Sequence, residues 1–268
     1  MNILGVKIDE LTKQQALEKA REFLSTAWSH KIFTPNPEML VDAQKDVGFK
    51  AVLNGGDMNL CDGFGLWSVL RLSSRAKRSG AEGSLSNTQI DRITGVDFML
   101  DLCTLAEKEG KSVYLLGSGS DEVVKKTAQV LQEKFPMLKI VGYNKGPAIC
   151  YLLSENSQQI ADSRYQDENE NALHDIILSA PDILFVAFGH GKQEKWIAEN
   201  LRDLPSVKIA MGVGGAFDFI SGKVKRAPKI MRKMGLEWVF RLVMQPRRFL
   251  RIWKATCVFV YYFLSTNH

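Results

Sequence analysis

Asp182-Ile-Leu-Phe-Val-Ala-Phe188 runs into Gly189-His-Gly191 and then into Lys192-Gln-Glu-Lys-Trp-Ile-Ala-Glu-Asn-Leu201. An apolar run without polar alternation predicts a strand covered on both faces, and the glycine turn ends it before a helix over Lys192–Leu201. The same unit recurs to either side. Ser112–Leu116 leads through Gly117-Ser-Gly119 to a helix over Asp121–Lys134, and Val207–Met211 leads to Gly212-Val-Gly214-Gly215. Met58–Cys61 leads through Asp62-Gly-Phe-Gly65 to a helix from Leu66. Strands alternating with helices, each closing on a glycine-bearing turn, predict an α/β fold with a Rossmann-like parallel sheet flanked by helices. Ligands in such sheets bind outside the strand C-terminal ends, so residues just after each strand are the first candidates.

Towards the N-terminus the opening residues read as a short strand. A helix is expected from near Thr12, where Gln15 completes a capping box, with Leu17, Ala20, Leu24, Ala27 and Trp28 as its apolar stripe. Lys31–Thr34 is a further strand; Pro35 and Pro37 stop it, and Pro37 suits the first turn of a helix. Ser73–Asn87 and Ser154–Asn171, rich in Ser, Asn, Gln and charge, read as surface loops or partly disordered insertions. The chain has no internal repeat.

The 268 residues are 45% hydrophobic and 24% charged, enough for one large core with an appendage. Cys61, Cys103, Cys150 and Cys257 lie far apart, with no CxxC and no Cys/His pairing at metal spacing, so reduced thiols are expected rather than a disulfide framework or zinc site. The first residues lack a basic-then-apolar signal pattern, and the apolar run Ala255–Leu264 is about half the roughly 20 residues that span a bilayer. From Lys223 onward there are 11 Lys/Arg against the single acid Glu237, a net +10, which leaves the first 222 residues at −5. We therefore expect an α/β domain over 1–222 and a basic, helical appendage over 223–268, broken at Pro246. Arg alternating with Trp, Phe, Tyr and Leu favours an anionic membrane surface over nucleic acid as its partner.

Asp62 stands where a strand meets a glycine turn. It suits either a general base beside a ligand or an N-cap of the next helix. Thr34 ends a strand and suits either orientation of a substrate hydroxyl or local capping before Pro35. Gly117-Ser-Gly-Ser is a weak phosphate-loop signal, since Glu122 stands where a third glycine would complete a dinucleotide fingerprint. A strand-to-helix turn that needs a permissive backbone explains it equally. There is no Walker lysine motif and no Asp-x-Asp.

Taken in order, the motifs form a set. They are Thr34-Pro-Asn-Pro-Glu38, Asp62-Gly-Phe-Gly65, Arg92-Ile-Thr-Gly-Val-Asp97, Tyr114-Leu-Leu-Gly117 and Gly189…Lys192-Gln-Glu-Lys-Trp196. Gly212-Val-Gly-Gly-Ala-Phe-Asp218, Gly222…Arg226-Ala-Pro228 and Gly235-Leu-Glu-Trp238…Arg241…Pro246-Arg-Arg…Arg251 follow. This set resembles the WecG/TagA/CpsF family of bacterial glycosyltransferases over nearly the whole chain.

The resemblance implies an inverting, metal-independent transferase at the cytoplasmic face of the membrane. It would extend a polyprenyl-diphosphate-linked GlcNAc acceptor in teichoic acid or surface-polysaccharide synthesis. The donor is a UDP-sugar, with ManNAc the first choice and glucose or another hexose the alternative; no cofactor or metal is required. A non-catalytic nucleotide-binding membrane protein is the rival class, and a homo-oligomer is left open. The family's base falls on Asp62 and its active-site threonine on Thr34. Nucleotide-sugar or diphosphate contacts are carried onto Asn36, Gly117, Gly189, Gln193, Glu194, Gly214, Gly215 and Asp218, and onto the appendage residues Arg226, Arg241, Arg248 and Arg251. Without a metal, arginines and exposed backbone N–H groups must stabilise the departing diphosphate, although attraction to lipid headgroups explains the arginines equally well. The chain departs from the family in having Gly191 where relatives commonly have proline, which places His190 in a flexible turn. Its two polar stretches also exceed the family's usual loops.

Overall fold

In order along the chain come β1 (Asn2–Ile3), β2 (Val6–Lys7), α1 (Lys13–Ser25), β3 (His30–Phe33), α2 (Pro37–Asp42), α3 (Val47–Asn54), β4 (Met58–Asn59) and α4 (Phe64–Ser79). Next are α5 (Gly95–Glu109), β5 (Ser112–Gly117), α6 (Asp121–Lys134), β6 (Lys139–Asn144), α7 (Gln158–Ser179), β7 (Ile183–Ala187), α8 (Lys192–Asn200), β8 (Ile209–Gly212) and α9 (Ala216–Ile220). The tail holds α10 (Lys229–Lys233), α11 (Glu237–Met244), α12 (Phe249–Trp253), a π turn (Lys254–Val258) and α13 (Phe259–Thr266). This computed structural model describes residues 1–79, 90–147, 158–246 and 249–266. Residues 1–16, 33–94 and 225–268 form one compact unit, and residues 17–32 and 95–224 form another.

The sheet runs β4-β3-β8-β7-β5-β6, and its β3–β8, β8–β7, β7–β5 and β5–β6 pairings are all parallel, as the alternating pattern requires. Val113–Leu116, Ile183–Val186 and Ile209–Met211 are buried throughout, which is why these strands carry no polar alternation. The edge strand β6 alternates between exposed and half-buried positions, with Val141 and Tyr143 on its exposed face. Chain order reverses at β5, which has β6 on one side and β7 on the other. That reversal is the position at which open α/β sheets bind ligands. At the other end of the sheet, Asp182 accepts from Ser112 N–H at 2.8 Å, Ser112 Oγ at 2.9 Å and Lys111 Nζ at 3.3 Å. Burial opposes its charge, but these donors outweigh burial and hold the carboxyl below its ordinary range.

Several expectations are corrected. The capping box at Thr12 and Gln15 forms, with bonds of 2.8 and 3.2 Å, but the buried stripe of α1 is Ala16, Ala20, Phe23 and Leu24. The helix stops at Ser25, so Ala27 and Trp28 lie beyond it and Trp28 is 76% exposed. The two polar stretches are not simply loops. α4 continues through residue 79 and α7 covers 158–179, while 80–89 and 148–157 lie outside the described residues. Arg, Lys, Ala, Gln and Glu are good helix formers, so polar composition alone does not mark a loop. α7 needs only a narrow apolar stripe, including Ala172 and Ile176, together with a bond of 2.6 Å from Trp196 Nε1 to Asn169 Oδ1. In the tail, α11 ends at Met244, two residues before Pro246, as the proline requires.

Candidate active site

Within the first unit, the segment after β4 runs alongside the end of β3. Leu60 N–H donates to Phe33 O at 2.9 Å, and Asp62 N–H donates to Pro35 O at 3.1 Å. This continued pairing brings the Thr34 and Asp62 segments together although neither residue lies in a regular strand. Thr34 is buried and Asp62 is half-buried. Gly63 has φ +89°, and a Cβ there would come within 3.1 Å of Pro37, so the turn after Asp62 packs directly on the start of α2.

The structure separates the capping reading from Thr34. Asn36 caps α2, accepting from Met39 N–H at 3.1 Å, so that duty does not fall on Thr34. α4 begins at Phe64, which puts Asp62 one residue before the cap position at Gly63. On the far side of Cys61, Ile93 N–H donates to Cys61 O at 3.1 Å. Burial pushes the Cys61 thiol far up; the Asp62 charge adds to this and the Arg92 guanidinium opposes it. Arg92 thus belongs to the electrostatic surroundings of Cys61, as its neighbour Asp62 does, a role that reading the Arg92–Asp97 motif left unassigned. Its Nη2 also donates to Arg232 O at 2.5 Å.

Three of the candidate tail arginines are held by protein partners. Arg226 Nη2 donates to Thr94 Oγ1 at 3.1 Å, and Arg241 pairs with Glu237 at 2.5 Å. Arg251 grips both oxygens of Glu38 at 2.9, 3.2 and 3.0 Å, and these bonds raise its proton affinity further. Lys254 pairs with Asp42. Arg248 lies outside the described residues. The pairing of Arg251 and Lys254 with acids one helical turn apart on α2 was missed from sequence; its signal was the i, i+4 spacing of Glu38 and Asp42.

The second unit gathers the other candidates at the C-terminal ends of its parallel strands. Gly117 has φ +124°, and a Cβ there would lie 2.7 Å from the Ala187 carbonyl carbon; this close approach between β5 and β7 gives the glycine a structural reason. After β7, Gly189 and Gly191 have φ of +84° and +77°, and His190 between them is half-buried. After β8, Gly214 has φ +55° and Gly215 caps α9. Asp218 pairs with Lys223 at 3.5 Å. Gln193 and Glu194 are buried at 4% and 0% exposure. Burial is the largest influence on the Glu194 carboxyl and raises it from 4.5 to about 7 against the pull of bonds from Gln193 and Gly191.

A parallel sheet whose strands end on glycine turns defines an α/β protein of the ligand-binding kind. The chain belongs to the Glycosyl transferase WecG/TagA/CpsF family, which matches it over residues 1–267. One relative is the N-acetylglucosaminyldiphosphoundecaprenol N-acetyl-β-D-mannosaminyltransferase of Bacillus subtilis (strain 168), 33% identical over 82% of this chain and 74% of the relative. An enzyme of the same description from Staphylococcus aureus (strain MW2) is 30% identical over 97% of this chain and 91% of its own.

Proposed function

We propose that this glycosyltransferase moves N-acetylmannosamine from UDP-ManNAc onto GlcNAc linked to a polyprenyl diphosphate, with inversion and without a metal. The observation that carries the reading is similarity over 82% and 97% of this chain to relatives named as N-acetylmannosaminyltransferases of GlcNAc-diphosphoundecaprenol. Asp62 takes the proton from the acceptor hydroxyl as that oxygen attacks the anomeric carbon, and the bond from that carbon to the diphosphate breaks. Thr34, on the neighbouring segment, orients the acceptor. Inversion needs one in-line displacement, so one base is sufficient. The departing diphosphate is stabilised by backbone N–H groups of the glycine turns and by arginines of the tail. For Arg241 and Arg251 to serve there, each must exchange Glu237 or Glu38 for the diphosphate. Initial rates are accordingly expected to survive EDTA.

A lipid-linked acceptor supports work at the membrane, and a UDP-sugar donor supports the cytoplasmic face. Among the described residues no helix is long and apolar enough to cross a bilayer. Attachment would use the exposed apolar side chains of the tail, among them Phe249, Leu250, Trp253, Tyr261 and Leu264, together with its basic residues. The deciding experiment incubates the protein with a panel of UDP-sugars and a lipid-diphosphate GlcNAc acceptor and identifies products by mass. A product heavier by one N-acetylhexosamine, formed only from UDP-ManNAc, is expected. Transfer from another donor, or none, overturns the reading.

A further inference from the structure

Two glycine turns at the ends of neighbouring parallel strands are tied together by buried side chains. Gly191 N–H donates to Glu194 Oε2 at 2.8 Å, Gln193 Nε2 donates to Glu194 Oε1 at 2.7 Å, and Gly214 N–H donates to Gln193 Oε1 at 2.8 Å. Both ends of this relay are backbone donors, which cannot reverse. A relay with a donor at each end needs one acceptor-only group inside it, and among side chains only a carboxylate supplies that. If glutamine replaced Glu194, one link would oppose N–H to N–H however the two amides were turned.

The relay lies beneath the turns. A Cβ on Gly212 would come within 2.7 Å of Gln193 Nε2, so the amide packs flush against the end of β8. At Gly189, Gly191 and Gly214, by contrast, an added Cβ would meet nothing within 4 Å, so the turns carry open space on that side. We propose that Glu194 and Gln193 are positioning residues that hold the 189–191 and 212–215 turns in register to receive the donor's diphosphate, without touching substrate themselves. This rests on the transferase reading above and changes the part expected of both residues, from contacting the nucleotide-sugar to shaping what contacts it.

The test uses full-length protein at pH 8, where the carboxylate is ionised. UDP affinity is measured by calorimetry, KM for donor and acceptor separately, and amide exchange at Gly191 and Gly214 by NMR. Glu194→Gln should lose roughly tenfold in UDP affinity and raise the donor KM to match, the equivalent of one misfaced buried donor. The acceptor KM should stay within twofold, and at least one of the two glycine amides should exchange faster. Gln193→Met leaves Glu194 and its Gly191 bond in place and should give the same donor-side loss, so the idea stays testable if Glu194→Gln fails to fold. Combining both changes should cost no more than either alone, because they interrupt one relay. Variants that bind UDP like the parent, or that lose donor and acceptor affinity equally, overturn the positioning role while leaving the transferase reading intact. A parent protein that neither binds UDP nor transfers sugar overturns both.

Discussion

Phe249 and Phe259 stand ten residues apart in the same basic, apolar tail, yet the structure gives them opposite surroundings. Phe259 is 1% exposed where α13 and the π turn pack on α2, whereas Phe249 is 53% exposed. Truncating a fully buried phenylalanine forfeits its transfer free energy and leaves a cavity, so Phe259→Ala should destabilise the protein by about 3–4 kcal/mol. Phe249→Ala should cost only about 1 kcal/mol, because half of its surface is already in water. On anionic vesicles the order should reverse. Inserting the exposed half of the Phe249 ring is worth about 1–1.5 kcal/mol, so its loss should weaken binding roughly tenfold. Phe259→Ala should leave vesicle affinity nearly unchanged at temperatures where it stays folded. Urea unfolding followed by tryptophan fluorescence gives the first pair of numbers and vesicle co-sedimentation the second. A Phe259→Ala penalty below about 1 kcal/mol would refute the docking of the tail onto α2. Equal vesicle binding by Phe249→Ala and the parent would refute the membrane role of its exposed face.

Asp62→Asn keeps the side chain's shape and should lower turnover roughly 100-fold or more with UDP-sugar binding nearly intact, measured by steady-state kinetics and calorimetry; near-parent turnover removes Asp62 as the base. Glu194 makes stability depend on pH in a defined direction. Its carboxyl is raised from 4.5 to about 7 in the folded chain, so the folded state holds the proton more tightly than the unfolded one between those values. Its contribution is fully present below pH 4.5 and is lost as pH rises through 7, about 3 kcal/mol in all, and denaturant titrations should show this slope in the parent and not in Glu194→Gln. Gly117→Ala meets the Ala187 backbone at 2.7 Å as well as an unfavourable φ, whereas Gly119→Ala meets nothing within 4 Å. The first should therefore lower the melting temperature clearly more than the second, whose cost is about 1 kcal/mol of backbone conformation alone. Equal melting temperatures would remove the close approach as the reason for glycine at 117.

Strand-turn-helix alternation was legible because it is local. The apolar runs at 113–116, 183–186 and 209–211 carry it, as do the glycines that end them and Pro37 at the first turn of α2. Local order also placed Thr34 and Asp62 just after strands, and the motif series along the chain pointed to the family that matches residues 1–267. Composition misled where polar residues fill helices, as in α7, because a helix anchored by Ala172, Ile176 and Asn169 needs little apolar sequence. What depends on contacts between distant residues had no local signature. Arg251 reads as a partner for diphosphate or lipid headgroups, and only the fold shows that Glu38, 213 residues earlier, holds it at two oxygens. Gln193 and Glu194, at the start of the helix expected over 192–201, read as nucleotide-sugar contacts, yet they are buried and bonded into a relay between two backbone turns. The sequence by itself determined which segments become strands, turns and helices, because backbone sterics and apolar periodicity act over a few residues. Only the tertiary structure decided which charges are already paired and which aromatic rings are already buried, since desolvation and ion pairing depend on residues that the chain brings together from far apart.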